Sequence, residues 1–441
     1  MICWKEIEKM MKYKVCDTKV KVCDSIMGTG KSSCAINLMN EDTEHNYIYI
    51  TPYLDEAERI AKACSARRFM TPQHNGIGKL KSLHQLLANK MNIASTHALF
   101  EEYTPETIEL IRQGNYKLIV DEVTIAVKHV KLNPCDVSIC IDSGVISTDE
   151  NGKSCWNYED YNGGVFEEVK KTADKGRLYN ENDAYLFDIY PIEVFIAFDE
   201  VIILTYMFDA QILSYFFQLY NVPIEYIYTK QNSDGSYEFS NEMQHLDYIA
   251  QLPTKIHILE EKKLNKVGER KNALSYSWFG NARNKGKIRE LRNNIAKFFK
   301  TRIGVKLTVN ERIWTTYKAA QEALSQGGYT TAFVPFNARA TNEYRHTRAV
   351  AYCVNIHFVP MIKNYFFDRG IVVDENKFAL SQMLQFIWRS AIRDNEEIWV
   401  YVPSSRMRRL LKGWLWSLSC PTEPYVDDKS EIKEIELIRT T

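Results

Sequence analysis

Met27-Gly28-Thr29-Gly30-Lys31-Ser32 decides how this chain is read. Before it, Val20-Lys21-Val22-Cys23 alternates as a strand does, and after it Ser33-Cys34-Ala35-Ile36-Asn37-Leu38-Met39 reads as a helix. A glycine-rich turn between strand and helix aims backbone N–H groups at one spot, at the positive end of the helix dipole. That spot suits a polyphosphate. Gly28, Thr29, Gly30 and Ser33 would line the turn, Lys31 would neutralise the β- and γ-phosphates, and the Ser32 hydroxyl would hold Mg²⁺. Where such turns usually begin with glycine, this one has Ser25.

About ninety residues on, Lys117-Leu118-Ile119-Val120-Asp121-Glu122 is a short apolar strand ending in two carboxylates. Paired with a phosphate-binding turn, such an end supplies two functions. Asp121 would hold the metal through water, and Glu122 would polarise the attacking water.

Around these motifs, residues 18–130 alternate strand and helix, with Asn46-Tyr47-Ile48-Tyr49-Ile50 as a further strand. Such alternation predicts an α/β fold with a parallel sheet covered on both faces. From 131 to 200 the rhythm breaks into turn signals, Asp149-Glu150-Asn151-Gly152 and Asn162-Gly163-Gly164, which read as a hairpin-rich insertion. Alternation resumes at Glu200–Thr205 and, in the second half, at Thr331-Ala332-Phe333-Val334 and Ile398–Val402, both read as strands. The expected organisation is a first domain over 1–225, a second over 226–420 and an acidic tail over 421–441.

With 56 basic and 56 acidic residues the chain carries no net charge, so any nucleic-acid surface must come from local charge separation. Residues 255–302 provide it: fourteen Lys and Arg face four acids, with Tyr276 and Trp278-Phe279 interleaved. Cations for phosphates and rings for bases suit a nucleic-acid strand. The ten cysteines show no Cys-x-x-Cys pair, which predicts reduced thiols and a cytoplasmic protein. The longest apolar run, Val201–Phe208, is too short to span a bilayer, so no membrane role is expected.

A third signal is Gln382-Met383-Leu384-Gln385-Phe386-Ile387-Trp388-Arg389-Ser390-Ala391-Ile392-Arg393. Continued as one helix, it puts Gln385, Arg389 and Arg393 near one face, where an arginine can reach a phosphate.

Taken together, these motifs resemble the superfamily 2 helicases and translocases, from Asp24 to about Val402, with wording similar to helicase-like proteins of tailed phages. Ser25–Ser32 resembles motif I, Tyr49–Tyr53 motif Ia, Asp121-Glu122-Val123-Thr124 motif II, Phe333–Asn342 motif V and Gln385–Arg393 motif VI; Leu204-Thr205-Tyr206 stands where motif III falls. The resemblance implies two RecA-like domains with ATP and Mg²⁺ in the cleft between them, and catalytic roles for Glu122, Gln385 and either Arg389 or Arg393. It implies nucleic-acid backbone contacts from Thr51, Thr96, His97, Asn337, Arg339 and Thr341, with DNA favoured over RNA. The implied activity is an ATP-dependent helicase or translocase, with replication or recombination proteins as candidate partners. An ATP-gated DNA-binding or loader protein would carry the same motifs. A terminase-type packaging ATPase would add a downstream nuclease carboxylate cluster, where this chain has scattered acids such as Asp368 and Asp374-Glu375.

Overall fold

The computed structural model describes residues 18–74, 76, 78–244, 247–302, 307–337 and 342–420. They form two units. One runs to Gln244 and includes Val359–Val373; the other takes the remainder of the second half.

In the first unit, β1 (Lys19–Asp24), β2 (Asn46–Thr51), β3 (Ile93–Thr96) and β4 (Tyr116–Asp121) alternate with helices. The insertion follows, with β5 (Val127–Val130), β6 (Ile146–Thr148), β7 (Ser154–Trp156), β8 (Leu178–Glu181) and β9 (Tyr185–Ile189). The main sheet is completed by β10 (Glu200–Thr205), β11 (Ile224–Gln231) and β12 (Tyr237–Ser240), in the order β12-β11-β1-β10-β4-β2-β3. All neighbours are parallel except β11 and β12. Runs such as Leu118-Ile119-Val120 and Val201–Leu204 are wholly buried, because helices cover both faces of a parallel sheet.

The insertion is a three-stranded antiparallel sheet, β5-β9-β8, with a β6-β7 hairpin. It also contains helices Pro134–Asp142 and Glu167–Asp174, which its turn-rich sequence conceals. Val130, Val137, Ile146, Leu178 and Leu186 form its own core. Helix Pro360–Phe367, from the second half of the chain, belongs to this unit. It packs Tyr365 on Phe187 at 4.9 Å and Phe366 on Tyr215 at 5.6 Å, and Arg369 pairs with Glu181 at 2.7 Å.

The second unit is a four-stranded parallel sheet of β13 (Ile256–Ile258), β14 (Arg312–Thr315), β15 (Ala349–Tyr352) and β16 (Ile398–Tyr401), in the order β13-β16-β15-β14. Leu291, Ile295, Trp314, Ala351 and Tyr401 lie in its core. The strand expected at Thr331–Val334 is a 3₁₀ turn, Thr330–Ala332, with one bridge from Phe333 to Trp314. The Tyr329 carbonyl accepts both the Ala332 N–H and the Trp314 indole N–H, which closes the turn before a strand can extend. Among the described residues no helix is long and apolar enough to cross a membrane.

Candidate active site

Parallel strands share a direction, so their carboxyl ends collect along one edge of the sheet. Register places Asp24 beside Thr205, Leu204 beside Asp121 and Thr51 beside Thr96. The glycine turn rises from the end of β1 and runs into helix Lys31–Glu41.

Gly28 and Gly30 both take φ of 88°, the left-handed region that glycine enters without strain. Gly30 needs to be glycine for a second reason: a Cβ there would collide with the ring of Tyr237 on β12. Thr29 is buried, and its hydroxyl donates to the Ile26 carbonyl at 2.9 Å. Cys34 N–H makes a helical bond to the Gly30 carbonyl at 2.9 Å, so the N–H groups of Lys31–Ser33 fall in the first turn, where orphan donors lie. Ser33 and Gly28 are exposed.

Lys31 folds back over its own turn, its ammonium donating to the carbonyls of Ser25 at 2.5 Å and Ile26 at 2.9 Å. Burial pushes its pKa down, while electrostatic interaction with Cys23, Asp121, Asp24 and Glu122 pulls the other way. Asp24 accepts the backbone N–H groups of Met207 at 2.7 Å and Phe208 at 3.1 Å, fixing the turn after β10 to the strand that launches the glycine loop.

Asp121 is the convergence point. One of its oxygens, Oδ2, accepts from Tyr49 Oη at 2.8 Å and from Ser32 Oγ at 3.3 Å. Burial raises its pKa, and these two hydrogen bonds lower it. Its carbonyl accepts from His97 Nε2 at 2.9 Å; a carbonyl only accepts, so that nitrogen carries the proton. Glu122 follows with φ of 61°, a strained position for a side-chain-bearing residue, and its N–H donates to the Leu204 carbonyl at 3.0 Å.

The structure therefore brings together Gly28–Ser33, Asp121 and Glu122. Thr51 and His97, expected at a nucleic-acid backbone, are buried instead. Thr51 lies within the edge, and His97 is drawn inward by the Asp121 carbonyl. Thr96 is half-buried, and its hydroxyl accepts the Leu99 N–H.

In the second unit the expected single helical face does not form. The helix ends at Ile387: Ser390 is extended, its hydroxyl bonds the Ile387 carbonyl at 2.6 Å, and Ala391 N–H is drawn to the Thr347 carbonyl at 2.8 Å. Gln385 is half-buried in the helix. Arg389 is buried, donating to the Pro335 carbonyl at 3.2 Å and lying 5.2 Å over the Phe386 ring. Arg393 is exposed on a 3₁₀ turn. Asn337 is exposed; Arg339 and Thr341 lie outside the described residues.

Tyr49 was missed from sequence. The available signal was its place in a strand of buried residues, since a buried tyrosine hydroxyl finds a polar partner.

A sheet edge that sets a Gly-x-Gly-Lys-Ser turn against an Asp-Glu strand end has the form of the P-loop α/β proteins. Similarity to known proteins narrows this further. The chain is 39% identical over 411 residues to the SPbeta prophage-derived protein YonV of Bacillus subtilis (strain 168), covering 90% of this chain and 98% of that one. It belongs to the YonV family. Residues 127–187 match the YonV middle domain, and residues 250–415 match the YonV C-terminal Rossmann-like domain. Among solved structures it is similar to one described as XPD helicase, with a TM-score of 0.46 and 10% identity over 93% of this chain and 98% of that one. Xpd4 of S. tokodaii is also similar, with a TM-score of 0.43 and 10% identity over 92% of this chain and 95% of that one.

Proposed function

We propose that this protein is an ATP-dependent nucleic-acid helicase or translocase acting on DNA. The observation that carries the nucleotide reading is the meeting of Ser32 with Asp121, 3.3 Å apart, beneath a turn whose N–H groups and lysine suit phosphate. The two oxygens fit Mg²⁺, which takes few protein ligands and completes its shell with water and phosphate oxygens. The bound ion would neutralise charge on the transferred phosphoryl group.

In this reading the first-turn N–H groups of Lys31–Ser33 hold phosphate, and Lys31 exchanges its loop carbonyls for phosphate oxygens. Glu122, next in sequence to the metal carboxylate, orients the attacking water. Of the two arginines, Arg393 is exposed and so accessible to a phosphate, whereas Arg389 is held by its own unit. Nucleic-acid binding is supported by the basic span 255–302 and by exposed Asn337.

The test is ATP hydrolysis by the wild type and Lys31→Ala, with and without single-stranded, duplex and forked DNA and single-stranded RNA. The expected outcome is DNA-stimulated hydrolysis that falls at least about 100-fold in the variant, the scale lost with a preorganised charge-stabilising group. Unchanged hydrolysis in Lys31→Ala would sink the proposal.

A further inference from the structure

The second unit has a carboxyl edge of its own, built around Asn355. Asn355 is fully buried just beyond β15. Its side-chain amide donates to the carbonyls of Lys271 at 2.8 Å and Ala273 at 3.0 Å, and its N–H donates to the Leu274 carbonyl at 3.0 Å. Its side-chain oxygen accepts from buried Arg406 at 3.0 Å. Its own carbonyl accepts the hydroxyl of Tyr317, two residues past β14, at 2.9 Å. One asparagine thus fixes the Lys271–Leu274 loop and the Tyr317 ring to the same point.

Tyr276 follows that loop, at the start of a short helix capped by Ser275. Its ring and that of Tyr317 form a T-shaped pair, with centroids 5.5 Å apart and planes at 83°. Tyr317 is braced in turn by Phe336 at 5.4 Å and Phe279 at 6.1 Å. Despite this support Tyr276 is 68% exposed. Tyrosine packing explains a buried ring; it does not explain a rigidly supported one turned to water. Lys271 and Arg270 before it, and Arg283 and Lys285 after it, are exposed as well. Phe336, which braces the cluster, precedes exposed Asn337.

We infer that Tyr276 is a base-stacking platform for single-stranded nucleic acid, with Lys271 as its phosphate contact. This rests on the nucleic-acid part of the proposed function and names the chemistry of one step of the track. One T-shaped contact occupies at most one face of a ring, so the exposed Tyr276 ring keeps a face for a base. Stacking is tolerant of sequence, because every base has a π-face. The local excess of cations selects a polyanion over an apolar protein surface.

The test measures anisotropy of a fluorescent (dT)20, a (U)20 and an abasic deoxyribose-phosphate strand of equal length, binding to full-length wild type, Tyr276→Ala, Tyr276→Phe and Lys271→Ala. Tyr276→Ala is expected to weaken binding to base-bearing strands about tenfold, to leave the abasic strand unchanged, and to be rescued by Tyr276→Phe. Lys271→Ala is expected to weaken all strands that bind and to lower the salt slope by about 1, which Tyr276→Ala leaves alone. The (U)20 arm reads whether the platform takes RNA as well as DNA. Equal weakening on base-bearing and abasic strands, or no effect of Tyr276→Ala, overturns the proposal. If the wild type hydrolyses ATP but binds no strand, this inference fails while the nucleotide reading stands.

Discussion

Replacing Tyr49 with Phe removes one oxygen and tests whether Asp121 is held as described. Tyr49 is fully buried, and its hydroxyl donates to Asp121 Oδ2 at 2.8 Å. The other donor on that oxygen, Ser32, is more distant at 3.3 Å. A hydrogen bond to a charged group contributes about 1.5–3 kcal/mol, and a desolvated carboxylate sits toward the upper end when its donor is lost. A loss of about 2 kcal/mol, with a urea slope of about 3 kcal/mol/M, lowers the unfolding midpoint by about 0.7 M. Tyr47→Phe is the internal control. Tyr47 also donates to a carboxylate, Asp42, at 2.7 Å, but Asp42 is served besides by Lys117 and by the N–H groups of Glu44 and His45. Those donors hold its pKa far below the usual range against the cost of burial, so losing one should cost about 1 kcal/mol or less. The assay is urea unfolding followed by circular dichroism, completed by a double-mutant cycle of Tyr49→Phe with Asp121→Ala. A coupling energy below about 0.5 kcal/mol, or an equal cost for Tyr47→Phe, would refute the claim that Tyr49 anchors Asp121.

Three other outcomes are expected. Glu122→Gln should keep the fold and nucleotide binding while lowering kcat about 10²–10⁴-fold, read by ATPase assay beside nucleotide titration. Gly30→Ala should destabilise the first unit by at least about 1 kcal/mol, because alanine is strained at φ of 88° and meets Tyr237; adding Tyr237→Ala relieves only the collision, as paired urea melts will show. His84 is held below its ordinary pKa of 6.5 by burial, against the opposing pull of Glu106. The unfolded chain therefore binds more protons just below pH 6.5, and stability falls as pH drops from there; His84→Gln should flatten that slope below pH 6.5 in unfolding experiments.

What could be read from sequence was local. The β1–turn–helix unit and the β4 end at Asp121 each declare themselves within a dozen residues, through apolar runs, glycines and carboxylates. The β6–β7 hairpin of the insertion followed from Asp149–Gly152 in the same way, whereas Asn162-Gly163-Gly164 leads into a helix. What escaped was set by partners distant along the chain. Nothing in Tyr49 announces a bond to Asp121, 72 residues away. The sequence Gln385–Arg393 has helical spacing throughout, yet the helix stops at Ile387 because Ala391 is held by Thr347. Thr51 and His97 look like polar surface residues, yet parallel pairing buries Thr51 and the bond to the Asp121 carbonyl holds His97 inward. Helix Pro360–Phe367 reads as part of the second half, but its aromatic face is matched by Phe187 and Tyr215 of the first unit.

The position of the insertion follows from the same geometry. It leaves the sheet directly after Glu122 and returns into β10, whose last residue, Thr205, lies in register with Asp24 and whose Leu204 carbonyl holds the Glu122 N–H. Its root is pinned where Tyr190 N–H meets the Ala126 carbonyl, and Arg177 bridges Asp188 at 2.6 Å and the Glu101 carbonyl at 2.8 Å. The segment matching the YonV middle domain is thus covalently framed by the two strands that carry the carboxylate pair and its backbone support. Only four residues, Val123–Ala126, lie between the proposed water-orienting group and β5, a short tether that links the two.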